Sequence, residues 1–267
     1  MRVVIVLALV GAVLAVPRQL SRIVGGSPAT IEKYPFIASL QFNRWGIFHS
    51  PRCGGSLITR TTVLSAAHCF YQAESPVQWR VRLGSANSTS GGTVHDVSHI
   101  IMHENFVYIT KLNDVALLRL RVAASLSSTI ALAYIAGTNY NLPDNALVYA
   151  AGWGRLSEDK PQQPEELLHI EINVINHELC RRRYALLQTL PDYKFMPHVT
   201  PEMLCHGILN VGGKNTCLGD SGGPITHNKN VIVGVISWTF GCAHPFFPGV
   251  SARVSSYTTW IYDHSVS

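Results

Sequence analysis

Short apolar runs separated by turn-forming residues dominate the chain after residue 30. Val, Ile, Leu and aromatic side chains concentrate in these runs, and clusters of Gly, Pro, Asn and Ser lie between them. This pattern of short apolar runs separated by turn-forming residues is typical of an all-β protein. The predicted core strands are 36–40, 55–59, 79–83, 115–120, 147–152 and 231–238.

Only two stretches show helical spacing of their apolar residues. One covers residues 178–187, and the other lies near the end of the chain. In the second, Ser255 or Ser256 is the predicted N-cap, and Tyr257, Trp260 and Ile261 would share one face. Strands are therefore expected to form the core. The polar stretch 134–145 is predicted to carry the link between two β units.

The amino terminus predicts export. Arg2 precedes an apolar run of residues 3–16, which is too short to span a bilayer, and small residues around Ala15 offer a cleavage site. Residues 1–15 are thus a predicted signal peptide of a secreted, extracellular protein. No later segment reaches spanning length, so no membrane partner is expected.

The exported part contains an even number of cysteines, which an oxidising compartment would pair into three disulfides. A metal site is the alternative, and His95, His99 and His103 fall four residues apart. Their β-branched neighbours favour a strand over the helix that would align them, and no CxxC pair occurs, so we predict no metal. The six are Cys53, Cys69, Cys180, Cys205, Cys217 and Cys242.

The charge balance excludes one class of partner. The whole chain has 21 basic and 16 acidic residues, a formal charge of +5. Arg2, Arg18 and Arg22 lie in segments that we expect to be removed, which leaves a nearly neutral protein. Nucleic-acid binding is not indicated.

Three segments carry residues whose chemistry interlocks: Ala-Ala-His68-Cys, Asn-Asp114-Val-Ala and Gly-Asp-Ser221-Gly-Gly-Pro. A serine hydroxyl becomes a nucleophile when a base removes its proton, and a histidine suits that task near neutral pH. A buried carboxylate can hold the imidazole in one tautomer. We predict Ser221 as nucleophile, His68 as base and Asp114 as its partner.

Glycines around the serine predict an anion-stabilising turn. They allow the backbone to fold tightly, so that the amides of Gly219 and Ser221 can point at one spot. Such donors stabilise the oxyanion that develops in acyl transfer. Both residues are candidates for an oxyanion hole.

These motifs resemble the trypsin and chymotrypsin family of serine endopeptidases, from Ile23 to about Ser265. The resemblance implies an all-β peptidase domain, residues 23–267, of two antiparallel six-stranded β-barrels with a C-terminal helix. It also implies disulfides that join the six cysteines in sequential pairs. The family order of His, Asp and Ser is met by the three candidate residues, and no cofactor is expected.

The resemblance further implies activation by proteolysis. Cutting after Arg22, by an activator of trypsin-like specificity, would remove the pro-segment 16–22. The freed amine of Ile23 would then pair with the carboxylate of Asp220 and order the oxyanion loop.

The predicted substrate pocket departs from the trypsin pattern. Asn215 stands where trypsin-type members place an aspartate, so a buried substrate cation would be unpaired. Gly249 keeps one open wall, whereas Thr239 narrows the slot. We predict a preference for medium, uncharged P1 residues such as Leu, Met, Ala or Asn. The other candidate substrate-binding residues are Thr216, Leu218, Ser237 and Trp238.

Two other functions remain possible from the sequence. Gly219-x-Ser221-x-Gly223 also fits the nucleophile elbow of esterases, but an elbow needs a helix after it, and here a β run follows. A non-catalytic binding protein on the protease scaffold is the other alternative. Covalent labelling of the serine would discriminate between them.

Two surface features have more than one interpretation. Asn87 begins an N-glycosylation sequon in a polar loop, 84–92, that lacks the carboxylates a calcium site would use. Arg181, Arg182 and Arg183 could bind anionic partners, but a solvated helix face explains them more simply.

The remaining pattern is similar to caterpillar midgut digestive proteases. We therefore expect proteolysis, a gut-lumen location, monomeric action on protein and peptide substrates, and control by protein protease inhibitors.

Overall fold

The computed structural model describes residues 25–159 and 162–265 of the 267-residue chain. The predicted signal peptide, the pro-segment and Ile23 lie outside these residues. The strands are β1 Ser27–Pro28, β2 Ile37–Phe42, β3 Ser50–Thr59, β4 Thr62–Ser65, β5 Trp79–Leu83, β6 Thr93–Met102, β7 Ala116–Leu120, β8 Tyr134–Ile135, β9 Leu147–Gly152, β10 Leu168–Val174, β11 Met203–Gly207, β12 Pro224–His227, β13 Val231–Trp238 and β14 Gly249–Arg253. The helices are α1 His177–Gln188 and α2 Val254–Ser265, with short 3-10 helices at Ile31–Lys33, Ala67–Cys69, Pro76–Gln78 and Pro191–Tyr193.

The first barrel closes in the order β2-β3-β4-β7-β6-β5, with every neighbouring pair antiparallel. Strand β5 shows why the sequence folds this way. Trp79, Val81 and Leu83 are buried, while the alternating Arg80 and Arg82 are partly exposed, because successive side chains of a strand point to opposite faces.

The second barrel closes in the order β9-β10-β11-β14-β13-β12, because β10 and β12 both pair with β9. Strand β1 extends it beside β10, and β8 adds a short parallel pair to β13. Segment 121–146, which includes β8, connects the barrels. The two six-stranded barrels and the C-terminal helix confirm the predicted fold class.

The predicted cap of the last helix was wrong. Helix α2 begins at Val254, directly after β14 ends, so Ser255 and Ser256 lie within its first turn. Val254 is fully buried and lies one residue before Ser255 and two before Ser256. Within the described residues, no helix combines the length and apolarity needed to cross a bilayer.

Candidate active site

His68 lies at the mouth of the first barrel. It belongs to the 3-10 helix Ala67–Cys69, one residue after β4 ends. The Cys53–Cys69 disulfide ties this helix to β3. The His68 side chain is 15% exposed, so one edge of the imidazole faces the cleft.

Asp114 is fully buried beside His68 and fixes its orientation. Asp114 Oδ1 accepts a hydrogen bond from the His68 backbone amide at 2.8 Å, and Oδ2 lies 2.6 Å from His68 Nδ1. The Ser237 hydroxyl donates to the same Oδ2. An ionised carboxylate only accepts hydrogen bonds, so Nδ1 carries the proton and Nε2 is left as the base.

The charge of Asp114 is maintained despite its burial. Burial alone would raise its pKa, but attraction to His68 and the hydrogen bonds from His68 and Ser237 hold the pKa below its usual value. The carboxylate is therefore ionised at neutral pH. It can stabilise the positive imidazolium that His68 becomes when it takes a proton.

The turn that carries Ser221 comes from the second barrel and packs on the first. Gly54 of β3 donates its amide to Ser221 O at 2.8 Å. A Cβ on Gly222, whose φ is +77°, would lie 2.1 Å from the Ser65 hydroxyl oxygen. Only glycine permits this approach. Cys69 Sγ is 3.8 Å from Ser221 O, which places the serine beside the histidine turn.

Ser221 and His68, on opposite sides of the cleft, lie in neighbouring turns but are not hydrogen-bonded to each other in the described residues. In the part of the chain that the structure describes, no hydrogen bond links the Ser221 hydroxyl to His68, whereas the contact between His68 and Asp114 is fully formed. Such contacts often tighten only when substrate binds.

The predicted oxyanion-hole residues lie in the same turn. Gly219 has φ of +100°, a backbone conformation that residues with a side chain rarely adopt, and a Cβ there would lie 1.7 Å from Gln163 Nε2, so the Gln163 side chain would have to move. The amides of Gly219 and Ser221 have no acceptor among the described residues. They are therefore available to an incoming oxygen.

Asp220 points away from the cleft into a pocket of backbone amides. Its Oδ1 accepts from Gly154 at 2.8 Å and its Oδ2 from Cys217 at 3.0 Å. The carboxyl is 2% exposed, and no cation pairs with it within the described residues. Burial raises its pKa to about 6, with the two amide hydrogen bonds opposing that shift.

The Cys217–Cys242 disulfide joins the segment that carries Asn215 to the loop after β13. Asn215 is 2% exposed, and its Oδ1 accepts the Thr216 amide at 2.8 Å. An ideal Cβ on Gly249 would lie 2.9 Å from the same Oδ1, so both residues border one space. Leu218 is 52% exposed at the rim.

Each of the three candidate substrate-binding residues at the end of β13 has a side-chain contact within the protein. Ser237 uses its hydroxyl on Asp114, and Trp238 packs against Tyr184 with ring centroids 4.7 Å apart. The Thr239 hydroxyl donates to Gly241 O at 2.9 Å, which fixes this branched side chain.

The comparisons with known proteins agree with this geometry. The family profile described as Trypsin matches residues 23–261. The chain belongs to the trypsin family. It is 44% identical over 254 residues to "Trypsin, alkaline C" of Manduca sexta, covering 95% of each chain. It is also 42% identical to "Trypsin CFT-1" of Choristoneura fumiferana, covering 94% of this chain and 93% of that protein.

A further relative is the "Vitellin-degrading protease" of Bombyx mori, 35% identical over 90% of this chain and 84% of that protein. The predicted resemblance to insect trypsin-like proteases is confirmed, and the chain is a serine endopeptidase. The three disulfides Cys53–Cys69, Cys180–Cys205 and Cys217–Cys242 are present as the trypsin resemblance implied.

Three residues beside the candidate site were not singled out by the sequence. His206 and Ser251 are buried behind Asn215, and Gln163 covers Gly219. No local pattern marks them, because His206 and Ser251 are 45 positions apart and Gln163 lies in an irregular segment.

The structure gives the side-chain contacts of the predicted glycosylation site and of two residues of the arginine triplet. Asn87 is half-buried, and its Nδ2 donates to the Glu165 carboxylate at 3.2 Å, so a glycan there would displace this contact. Arg181 forms two hydrogen bonds to Glu178 on the exposed face of α1. Arg183 instead covers the Phe246 ring at 4.3 Å.

The histidines that were considered as metal ligands follow the strand prediction. His95 and His99 lie on β6, and His103 follows it. Within the described ranges, no group of three or more His, Cys, Asp or Glu side chains could hold a metal ion.

Proposed function

We propose that the chain is a secreted digestive endopeptidase, made as an inactive precursor, that cleaves peptide bonds with Ser221, His68 and Asp114. One observation carries this proposal. The buried Asp114 carboxylate binds both the backbone amide and Nδ1 of His68, beside the turn that carries Ser221. This arrangement prepares His68 Nε2 to accept a proton.

The reaction follows from these positions. Ser221 Oγ attacks the carbonyl carbon of the scissile bond while its proton moves to His68 Nε2. The carbonyl oxygen becomes negative and is held by the amides of Gly219 and Ser221. His68 then gives its proton to the leaving amine, and the C–N bond breaks. Water repeats the sequence on the acyl-enzyme and restores the serine.

Activation at Arg22 would supply a cation for Asp220, which has none among the described residues. The buried carboxyl accepts two amides and has a pKa of about 6, so an amine in this pocket would gain a partner and keep the carboxylate ionised. Gly25, the first described residue, packs against Gly213 O, on the segment that leads to Asp220. Ile23 stands two positions before it.

Two features support a preference for uncharged P1 residues. Asn215 is buried in the position that would face the tip of a P1 side chain, and it carries no charge. Thr239 is fixed at the pocket wall by its hydrogen bond to Gly241. A P1 cation in this pocket would lose its water without gaining a carboxylate.

Covalent labelling tests the catalytic proposal. The protein is cleaved after Arg22 and treated with a serine-directed fluorophosphonate, with Ser221→Ala as the matched control. We expect one modification, on Ser221, together with peptide hydrolysis that the variant lacks. An unmodified Ser221 would favour the non-catalytic binding protein. The esterase alternative is weakened because strand β12 follows the serine turn.

Secretion and digestion rest on the predicted signal peptide and on relatives that include alkaline trypsins of Manduca sexta. Expression of the full chain in insect cells tests export. We expect the protein in the medium, with its amino terminus at Val16 or, after activation, at Ile23. Retention inside the cell would contradict this part.

A further inference from the structure

The hairpin between β2 and β3 ends in exposed apolar side chains. Its loop, residues 43–49, carries Trp45, Ile47 and Phe48, which are 75%, 79% and 68% exposed. A Cβ on Gly46 would have no atom within 4 Å apart from its chain neighbours, so the loop stands clear of the other described residues. Large apolar side chains exposed side by side mark an interaction site. We call Trp45, Ile47 and Phe48 the apolar tip.

Two arginines lie beside the apolar tip without an acidic partner. Arg44, Arg52, Trp45 and Phe48 are among the residues that line one groove of about 290 Å³. The Arg44 guanidinium lies 5.2 Å from the centroid of the Trp45 ring, and that of Arg52 lies 4.9 Å from the centroid of the Phe42 ring. Neither guanidinium forms an ion pair within the described residues. Burial and the charge of Arg44 lower the pKa of Arg52, because two like charges meet in this groove.

The surroundings of the hairpin are also cationic. Residues 33–73, which include both of its strands, contain no Asp or Glu. Strand β5 pairs with β2 and adds Arg80 and Arg82 but no carboxylate. Glu74 follows the acid-free stretch, and Asp96 is opposite Arg80 on β6, but neither forms an ion pair with these arginines. A partner of this surface should therefore carry negative charge beside an apolar region.

We propose that this hairpin docks the protein on a lipid surface that carries anionic phosphate headgroups. Arg44 and Arg52 bind headgroup phosphates, whose oxygens match the donors of a guanidinium. The apolar tip enters the boundary between the headgroups and the acyl chains, where tryptophan is favoured. This inference goes beyond the proposed function and does not depend on it.

The shape of the tip favours lipid over a folded protein. The apolar tip protrudes, so a protein partner would need a complementary pocket for three large side chains. A fluid lipid boundary accepts a protruding apolar segment flanked by cations without such a pocket. The sequence argument against a membrane partner concerned spanning segments, and docking at the surface needs none.

Docking through the hairpin would leave the cleft open. Gly54 on β3 donates its amide to Ser221 O, whereas the loop joins β3 at Ser50. Four residues of a strand separate these points by about 13 Å. The enzyme would thus be held at an anionic surface with its active site facing the solution.

Vesicle flotation tests the docking with the uncut Ser221→Ala protein, which cannot cleave itself. Vesicles contain phosphatidylcholine alone or an equal mixture with phosphatidylglycerol. We expect the protein to bind the anionic vesicles at least about tenfold more tightly at low salt, and high salt should weaken this binding. Because the variant has no nucleophile, a failure here leaves the proposed function unaffected.

Substitutions in the same background assign the binding to the hairpin. Changing Trp45, Ile47 and Phe48 together to Ser should weaken binding to anionic vesicles about tenfold or more, and so should Arg44→Gln with Arg52→Gln. Phe195→Ser is the matched control, since Phe195 is 77% exposed and has the Lys194 ammonium 4.8 Å from its ring centroid. It should bind like the parent. Equal melting temperatures show that the variants are folded.

Quenching by lipids with brominated acyl chains measures how deeply the tip enters. We expect these lipids to reduce the fluorescence of the Ser221→Ala protein. Trp45→Phe keeps an aromatic ring, so it should still bind the vesicles but lose that quenching. Equal quenching in this variant would show that another tryptophan meets the lipid and would contradict the proposed orientation.

Other occupants of the hairpin would overturn the proposal. One such result is equal or absent binding to the two kinds of vesicle, or binding that the serine and glutamine substitutions leave unchanged. A dimer in sedimentation that the serine substitutions dissociate would instead assign the tip to a second copy of the chain. Without vesicle binding, a higher KM for casein in the activated serine variant, with short peptides unaffected, would assign it to protein substrates.

Discussion

The two sides of the cleft differ in how their buried polar groups are satisfied. On the first barrel, Asp114 accepts hydrogen bonds from the amide and ring of His68, and from Ser237 across the cleft. On the second barrel, the Asp220 carboxylate accepts hydrogen bonds from two backbone amides but has no cation partner among the described residues.

This difference suggests that the two sides of the cleft have different roles. The fold itself builds the base, because every contact of Asp114 comes from residues that the barrels hold in place. The side that holds the oxyanion needs a group from outside the described residues, namely an amine at Asp220. Regulation would then belong to the second barrel.

The largest expected effect comes from substituting Asp114, the buried carboxylate that holds His68 on the first barrel. Asp114→Asn should fold but lower kcat by about 10⁴-fold, the size already known for this change in the serine-protease triad, because the amide stabilises the wrong imidazole tautomer. The measurement is kcat for a peptide substrate at equal protein concentration. A decrease below tenfold would show that Asp114 does not orient the base.

The next largest effect is expected when the Ile23 amine is prevented from forming, so that it cannot pair with Asp220 on the second barrel. Arg22→Glu removes the predicted activation cleavage without creating an uncharged P1 residue, so Asp220 stays without the Ile23 amine. We expect peptide hydrolysis after treatment with trypsin to be lower by about 10²–10³-fold, the cost of losing oxyanion-hole donors. Full activity of the variant after the same treatment would contradict the activation proposal.

Asp220, which has no cation partner in the part of the chain that the structure describes, should also make the stability of the precursor depend on pH. Its pKa is about 6 in the folded protein, above the ordinary value of 3.8, so the folded state binds the proton more tightly. Its contribution to stability is therefore full below about pH 4 and is lost as pH rises to about 6. The loss is up to about 3 kcal/mol, from 1.36 kcal/mol per pKa unit.

Urea unfolding of the uncut protein between pH 4 and 8 measures this loss. Ser221→Ala serves as the background, which prevents self-cleavage, and Asp220→Asn is added to it. We expect the double variant to lack this part of the pH dependence and to be the more stable protein at pH 7. Parallel curves for the two proteins would show that Asp220 is already paired.

The smallest expected effect comes from substituting Asn215, and it tests whether this residue determines the P1 preference. Asn215→Asp places a carboxylate where the uncharged amide stands, and it should raise kcat/KM for a P1 Arg peptide relative to a Gln peptide by about tenfold or more. Asn215→Leu, which adds no charge, is the control and should not favour Arg. An unchanged ratio in the aspartate variant would mean that residue 215 does not face P1.

The fold was predictable where strands have strong local patterns. Predicted ranges 79–83, 147–152 and 231–238 match the observed strands, because alternating or continuous apolar runs define them. Strands β4, β10, β11, β12 and β14 were not predicted, and β10 was missed although its burial alternates. Strands β11 and β14 lack a strong local pattern. They contain glycine, serine and histidine, which favour strands weakly, and pairing with each other and with β13 holds them.

The site was predictable where its residues lie in compact motifs. The segments around His68 and Ser221 are short motifs whose chemistry can be recognised without knowing the fold. The contact between Ser237 and Asp114 joins positions 123 residues apart. The contact between His206 and Ser251 likewise depends on the pairing of β11 with β14. No spacing rule in the sequence could reveal contacts that only barrel closure creates.

The most direct test of the difference between the two sides is the rate at which a fluorophosphonate modifies Ser221 before and after cleavage at Arg22. Both measurements use one preparation at neutral pH. If the base is complete and the oxyanion side waits for the Ile23 amine, the rate should rise by about 100-fold or more on cleavage. Equal rates before and after cleavage would contradict the account.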